Sequence, residues 1–256
     1  MTREALPFVA PDLSAFARAL ARSLAERTAD CANAVNSCAP LTWSLSPHLA
    51  EMAPDVLEWY FETSRVTGRD YFSLPPSGHL YSYPSLMSDA DQDRFVASTE
   101  RDARILGTHT TVHWDQNGTW QAAETQFLPK YGHAGGQIRG IVPVNVPYVY
   151  SPFPGWSANE TYRVLEGEDG TPVVVFQQQE WRGVDDSDPE FLPSPANMLN
   201  RINGYPAGSV MVVYMTSDGG LSLTNSFMEL VKILPANVQV VSTDAAAELA
   251  LTASGY

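Results

Sequence analysis

The sequence predicts an α/β protein with about seven parallel strands, arranged as a (β/α) barrel or part of one, with a doubly wound open sheet as the alternative. Stretches rich in β-branched residues alternate along the chain with amphipathic stretches of helical spacing. Several strand segments, such as VVVF at 173–176 and VMVVYM at 210–215, are apolar throughout, which is typical of parallel strands covered on both faces. The 256 residues are enough for one large domain of this kind.

The chain is predicted to divide into an N-terminal helix and cysteine loop over residues 1–40 and a barrel-like domain over residues 41–256. The first helix is expected at about 12–28, because Asp12 can cap it and apolar residues recur there at helical spacing. Residues 1–16 lack the apolar segment of a secretory signal. No run of about 18 apolar residues occurs, so no membrane-spanning segment is predicted.

Cys31 and Cys38 lie close together in the stretch DCANAVNSC. This spacing permits a small disulfide loop in an oxidising compartment, and two free thiols are the alternative. A zinc site is not predicted, because no second pair of cysteines or histidines lies nearby at ligand spacing. The residues leave the cellular compartment open.

The first strand and helix of the barrel-like domain are predicted from boundary residues. LTWSL at 41–45 is typical of a short strand. A helical stretch follows and restarts at Pro54, since proline favours the first turn of a helix. Gly68 is expected to end that helix, because glycine readily adopts the left-handed conformation found at helix ends. DYFSL at 70–74 is the next predicted strand.

A second long helix is predicted between Ser88, which can cap it, and Gly107, which follows its last residue. Apolar side chains such as Phe95 recur at helical spacing and indicate a buried face. The charged letters DQDR at 91–94 and ERDAR at 100–104 predict a solvated face.

The remainder of the chain continues the alternation of strands and helices. Its predicted strands lie at 108–114, 136–145, 171–177, 208–216 and 237–243. Its predicted helices are one that begins at Ser194 and Pro195, one that contains Phe227, and a last one capped by Thr243. Between 145 and 195 the periodic pattern weakens into loops rich in proline and aromatic residues, and long loops of this kind are commonly functional.

The charge of the chain limits its partners. The formal net charge is −14 and the sequence pI is about 4.6. Binding to nucleic acid or to an anionic membrane surface needs a basic face, so neither partner is predicted. The sequence contains no GxSxG, P-loop, HExxH or GxGxxG pattern, and no cofactor or metal is predicted.

Candidate functional residues follow from the rule that ligands bind at the carboxyl ends of parallel strands. Carboxylates set among tyrosine and tryptophan suit a sugar site, because aromatic faces stack on pyranose rings while the acids transfer protons. The candidate catalytic residues are Glu180 and Asp115. The candidate substrate-binding residues are Tyr81, Tyr83, His79, Trp114, Trp181, Tyr148 and Asp218.

Structural roles compete with these assignments. Asp115 precedes Gln-Asn-Gly and Asp218 precedes Gly-Gly, so both acids can instead shape turns. Glu180 can form an ion pair with Arg182 or Arg139. A loop histidine such as His79 commonly acts as a hydrogen-bonding group.

One segment carries a family resemblance. Residues 77–84, SGHLYSYP, resemble the signature of the GxGYxYP family of proposed glycoside hydrolases, with Gly78, Tyr81, Tyr83 and Pro84 at matching positions. Leu80 occupies the place of the second glycine. The resemblance covers about 40–250 and extends to the segments LTWSLSPHLAEMAPDVLEWYFETS, DYFSLPPSG and VMVVYMTSDG.

The resemblance implies a TIM-like (β/α) barrel and a carbohydrate substrate, with an extracellular location compatible with the family. It leads to the hypothesis of a glycoside hydrolase acting on a poly- or oligosaccharide through a carboxylate acid/base pair. The alternative is a non-catalytic carbohydrate-binding module derived from the same barrel, because the acidic Ser-Asp-Gly-Asp turn of the family has no counterpart ahead of residue 41. The oligomeric state is left open.

The motif segment is stiff, since Pro75, Pro76 and Pro84 restrict its backbone. Tyr81 and Tyr83 are two residues apart and would face opposite sides of an extended segment. One ring is then expected to point into a sugar site while the other packs on the rim. A rigid plug without ligand contact is the competing interpretation.

Overall fold

The computed structural model describes residues 10–33, 38–146, 153–177, 179–182, 194–216 and 223–256. The α-helices of these ranges are α1 (Ala10–Asn33), α2 (Leu49–Met52), α3 (Pro54–Thr67), α4 (Asp89–Leu106), α5 (Trp120–Ala122), α6 (Pro195–Asn203), α7 (Leu223–Ile233) and α8 (Thr243–Ala253). The strands are β1 (Leu41–Ser44), β2 (Asp70–Ser73), β3 (Thr110–Gln116), β4 (Gly140–Val146), β5 (Tyr162–Glu166), β6 (Pro172–Phe176), β7 (Gln179–Arg182) and β8 (Val213–Thr216).

The described strands form three sheets. The largest has four strands in the order β3-β4-β6-β5, in which β3, β4 and β6 run parallel and β5 runs antiparallel to β6. β1 pairs with β2 and β7 pairs with β8, each as a parallel two-stranded sheet. An isolated bridge between Leu74 and Thr111 links the end of β2 to β3.

The predicted barrel of about seven parallel strands is wrong. The described strands lie in sheets of two, four and two strands with mixed orientation, and these sheets do not close into a barrel within the described residues. The class is mixed α/β.

Two local features explain the difference. β5 and β6 are joined by a tight turn at Asp169-Gly170, in which Gly170 has a φ of +77°, and Asp-Gly turns make antiparallel hairpins. The predicted strand at 237–243 pairs with no described strand. Its last residues instead begin α8, whose cap is Ser242 rather than Thr243, with the Ser242 hydroxyl accepting from Ala245 N.

The predicted boundaries in the first half of the chain are largely confirmed. α3 begins at Pro54 and ends at Gly68, which has a φ of +61°. α4 follows Ser88, whose hydroxyl accepts a hydrogen bond from Asp91 N, and ends at Gly107 with a φ of +66°. These residues act within one turn of the helix that they delimit, so the helix ends can be predicted from the neighbouring sequence alone.

The N-terminal helix is longer than predicted. α1 begins before Asp12 and continues past residue 28 to Asn33. Cys31, in its last turn, is joined to Cys38 by a disulfide. The domain boundary at residue 40 stays a prediction. None of the described helices combines the length and the apolar character that crossing a membrane requires.

The four-stranded sheet separates two apolar clusters, because alternate side chains of each strand point to opposite faces. In β6, Val173 and Val175 join one cluster, whereas Val174 and Phe176 join the other. The first cluster includes Trp43, Tyr60, Leu74, Phe95, Trp120, Phe127 and Ile141. The second includes Val112, Val142, Val144, Ala246, Ala247, Ala250 and Leu251, so α8 covers that face.

A buried ion pair connects α1 to the small β1–β2 sheet. Arg27 Nε lies 2.5 Å from Asp70 Oδ1, and both side chains are fully buried. Arg27 also donates to the carbonyl of Ala39, and Asp70 accepts from Trp43 Nε1 at 2.7 Å. Thr67 donates to the second carboxylate oxygen of Asp70. Each charge therefore has partners that offset its loss of water.

We expect Arg27→Met to lower the free energy of unfolding by about 3–5 kcal/mol, because it leaves the Asp70 carboxylate buried without a counter-charge. Urea titrations of the purified variant measure this loss. The double variant Arg27→Met with Asp70→Asn should recover much of it. Arg22, which forms an exposed pair with Glu26, provides the control, and Arg22→Met should leave the unfolding midpoint unchanged. Equal losses in both single variants would contradict the expectation.

Candidate functional site

The motif segment, residues 75–85, lies between the end of β2 and the start of α4 and contacts the end of β3. Gly78 has a φ of +95°, and a Cβ atom at this position would lie 2.6 Å from Thr99 Cγ2. The next residue, His79, donates its backbone N–H to Thr99 Oγ1 at 3.2 Å. Only glycine satisfies both the backbone angle and the close approach, so the segment lies directly on α4.

Ser77 fixes the segment against β3. Its hydroxyl donates to the carbonyl of Ser82 at 2.7 Å and accepts from Trp114 N at 2.8 Å. Its backbone N–H donates to the carbonyl of Leu80 at 3.1 Å. The chain from 77 to 82 is therefore a closed turn rather than an extended strand.

This turn gathers three aromatic rings, Tyr81, Tyr83 and Trp114, which we call the aromatic platform. The ring centroids of Tyr81 and Trp114 are 4.4 Å apart, and those of Tyr83 and Trp114 are 6.3 Å apart. Tyr81 is 69% exposed. The segment is a turn rather than extended, so the condition for the two tyrosines to face opposite sides is not met, and both rings lie near the same indole.

Leu80, which stands at the position of the second motif glycine, points outward and is 52% exposed. Its backbone carbonyl closes the turn with Ser77, and the side chain takes no part in that bond. The substitution of glycine by leucine therefore leaves the turn intact and adds an apolar group beside Tyr81.

Asp115 follows Trp114 on β3 and is fully buried. Its Oδ1 accepts from Ser85 Oγ at 2.6 Å and from Thr119 Oγ1 at 2.5 Å, and its Oδ2 lies 3.9 Å from His113 Nε2. Burial raises the pKa of Asp115, but the proximity of His113 and the two hydroxyl donors together lower that pKa below its ordinary value. The carboxylate is therefore ionised at neutral pH.

His79 belongs to a second cluster on the other side of the turn. Its Nδ1 lies 2.6 Å from Asp102 Oδ2, a hydrogen-bond distance. His48 Nε2 lies 2.8 Å from the carbonyl oxygen of His79, and the two imidazole centroids are 5.1 Å apart. Asp102 is 2% exposed as a residue although it belongs to the ERDAR stretch predicted to be solvated.

Neither His48 nor Asp102 was predicted as a site residue. The burial of Asp102 and its neighbour Glu100 corrects the predicted solvated face of α4. Glu100 accepts backbone N–H groups of Gln137 and Ile138, far along the chain. The charge pattern of one helix does not reveal hydrogen-bond donors that are distant in the sequence. For His48, the only signal was its position after Ser-Pro at the start of a helix.

The remaining predicted residues lie apart from the motif segment or outside the described residues. Trp181 is fully buried beside Met198 and Leu230, which leaves it no exposed face for a ligand. Glu180 occupies β7, where it pairs with Tyr214 of β8 in a separate two-stranded sheet, and its side chain lies outside the described part. Tyr148 and Asp218 lie outside the described residues. The structure thus brings together Tyr81, Tyr83 and Trp114, whereas Asp115 follows Trp114 on β3 and His79 belongs to the second cluster.

Comparisons with known proteins identify one matching family and one similar solved structure. The sequence profile of a family described as "GxGYxYP putative glycoside hydrolase C-terminal domain" matches residues 32–165, slightly more than half of the chain. The match includes the motif segment, α4, β3, β4 and all but the last residue of β5. No curated protein matches the chain.

The chain is also similar to the crystal structure of a protein described as a "putative hydrolase" from Bacteroides thetaiotaomicron VPI-5482. The TM-score is 0.58 and the sequence identity is 24%, over 82% of this chain and 38% of the other. At this sequence identity, the similarity between the two structures shows a shared fold. The chain spans about two-fifths of the length of that protein.

We expect Gly78→Ala to lower the free energy of unfolding by roughly 2–4 kcal/mol, since it adds both left-handed backbone strain and a clash with Thr99. Gly107→Ala is the matched control, because Gly107 has a φ of +66° but open space around its Cβ position. Gly107→Ala should lower the free energy of unfolding by about 1–2 kcal/mol, because it adds backbone strain alone. Chemical denaturation measures both losses, and equal values would show that the contact with Thr99 contributes nothing.

The lowered pKa of Asp115 predicts a dependence of stability on pH. Above the ordinary pKa of an aspartate, about 3.9, the carboxylate is ionised in both the folded and the unfolded chain, and its contribution is fully present. The contribution is lost as the pH falls through the lower pKa of the folded state. Asp115→Asn should therefore flatten the fall of stability below about pH 4. If the free energy of unfolding falls equally steeply with decreasing pH in both proteins, the lowered pKa assigned to Asp115 is wrong.

Proposed function

Because the chain belongs to the GxGYxYP family, whose domain is described as a "putative glycoside hydrolase" domain, we propose that it acts on a poly- or oligosaccharide at the aromatic platform. The observation that carries this proposal is the exposed Tyr81 ring against Trp114, at the end of the strand that also carries Asp115. The family match covers the C-terminal domain, so the substrate and the reaction are proposals for this chain.

The platform suits a sugar because its rings are held before the ligand arrives. Pyranose rings present an apolar face that stacks on aromatic side chains, and tyrosine hydroxyls add hydrogen bonds at the edge. Ser77 fixes the turn that carries Tyr81 to the backbone of Trp114. A rigid platform loses little conformational entropy when it binds, which favours affinity.

In the hydrolytic version of the proposal, Asp115 is the carboxylate that stays ionised. A glycosidase needs one carboxylic acid to protonate the leaving oxygen and one carboxylate to act as base or nucleophile. The lowered pKa of Asp115 suits the second role better than the first. We keep Glu180 as the proposed acid on the sequence pattern alone, since it lies within β7 of a separate two-stranded sheet.

A non-catalytic carbohydrate-binding module is the second candidate. The observation that favours it is the complete burial of Asp115, whose carboxylate is covered by the hydroxyls of Ser85 and Thr119. A buried carboxylate bonded to these two hydroxyls can hold the end of β3 in place without contacting a sugar. Binding of a glycan without cleavage would distinguish the module from the enzyme.

The test combines a glycan panel with single variants. We expect Tyr81→Ala to weaken binding of the best glycan by roughly threefold to tenfold, because one aromatic stacking contact is lost. Isothermal titration calorimetry measures the affinity. Tyr71→Ala is the control, since Tyr71 is also exposed but lies on β2. Tyr81→Phe and Tyr83→Phe test the hydroxyl groups separately.

If neither phenylalanine variant nor Tyr81→Ala changes glycan binding, the segment is a rigid plug and the platform proposal fails. Hydrolysis is measured in parallel as release of reducing ends. Glu180→Gln should abolish that release while the thermal midpoint stays constant, and unchanged turnover would remove Glu180 from the mechanism. Binding with no cleavage by the unaltered protein would favour the module.

A further inference from the structure

Three potential metal ligands come together beside the motif segment, from parts of the chain that are distant in sequence. His48 lies just before α2, His79 lies in the motif segment and Asp102 lies in α4. One ligand atom from each of these residues lies within 4.8 Å of the other two. Among the described residues, this is the group of histidine, cysteine and acidic side chains that meets the spacing of a metal site.

We propose that His48, His79 and Asp102 bind a divalent transition-metal ion, with Zn²⁺ as the best match. Two imidazoles and one carboxylate are ligands that zinc and its first-row neighbours prefer, whereas calcium and magnesium prefer oxygen alone. Three protein ligands also leave a coordination position open for water or a substrate, as in catalytic rather than structural zinc sites.

The surroundings already orient the ligands. Asp102 has its Oδ1 at 3.3 Å from Arg101 Nη2, which leaves Oδ2 directed at His79. The backbone of His79 is fixed on α4 by its bond to Thr99. Interactions of this kind, outside the ligands themselves, commonly set the direction of metal ligands.

Access and spacing are compatible with an ion. The His79 side chain is 20% exposed while that of Asp102 is 3% exposed, so the cluster opens to solvent on the histidine side. Bonds of about 2.0–2.1 Å to zinc place neighbouring ligand atoms roughly 3–3.5 Å apart. His79 Nδ1 and Asp102 Oδ2, now 2.6 Å apart, would need to separate by less than about 1 Å.

The competing explanation is a cluster held by hydrogen bonds alone, in which Asp102 orients His79 and no ion binds. The two explanations differ in stoichiometric metal binding and in its loss on substitution. The metal site does not depend on the carbohydrate proposal, because its residues lie apart from the aromatic platform contacts.

The experiment uses the full chain without a histidine tag, treated with a chelator and kept free of reductant so that Cys31 and Cys38 remain paired. Titration calorimetry with ZnCl₂ should give one ion per chain, and CaCl₂ should give no binding. CoCl₂ should produce the visible absorption of a cobalt site with nitrogen and oxygen ligands. The thermal midpoint should rise with zinc concentration, as expected for a ligand that binds the folded state.

His48→Ala and Asp102→Asn should each reduce zinc affinity at least tenfold, and His79→Ala should do the same if it folds. His109→Ala and His133→Ala are matched controls, because both histidines are described, lie outside the cluster and bond to backbone carbonyls elsewhere. Circular dichroism confirms the fold of each variant. Absence of one-to-one zinc binding, or equal losses in the controls, would overturn the proposal and leave the hydrogen-bonded cluster.

Discussion

The absence of a side chain at Gly78 is the constraint on which the candidate site depends. Because Thr99 occupies the space that a Cβ would take, the motif segment approaches α4 closely enough for His79 to reach Asp102. The turn that follows then places Tyr81 on Trp114. The close contact between Gly78 and Thr99 therefore positions both the aromatic platform and the cluster around His79. A change in the distance between the motif segment and α4 would move both.

Buried carboxylates recur throughout this acidic chain, and the partner of each one differs. Asp70 has a guanidinium, Glu100 has backbone N–H groups, Asp102 has an imidazole and Asp115 has hydroxyls. Asp70 also accepts from the hydroxyl of Thr67, and Asp102 also lies near the guanidinium of Arg101, so these carboxylates have more than one partner. Asp102 and Asp115 are the two that adjoin the motif segment, where function is proposed.

The sequence predicted those features of the fold that local chemistry determines. Pro54, Gly68, Ser88 and Gly107 delimit their helices through contacts within one turn, and each was recognisable. The parallel barrel failed because strand order and direction depend on distant pairings. The Asp169-Gly170 turn did carry a hairpin signal. It lies in the stretch 145–195, whose weak periodicity is typical of loops.

For the candidate site, the strand-end rule and the motif together indicated Tyr81, Tyr83 and Trp114, which the structure brings into contact, and Asp115, which follows Trp114 on β3. They could not indicate His48 or Asp102. A histidine after Ser-Pro and an aspartate in a charged helix are ordinary residues until folding brings them together.

The outward direction of Leu80 has a practical consequence for work on this segment. A cysteine introduced there could carry a fluorescent reporter beside Tyr81, so that ligand arrival is observed by light emission while the glycine that fixes the backbone stays untouched.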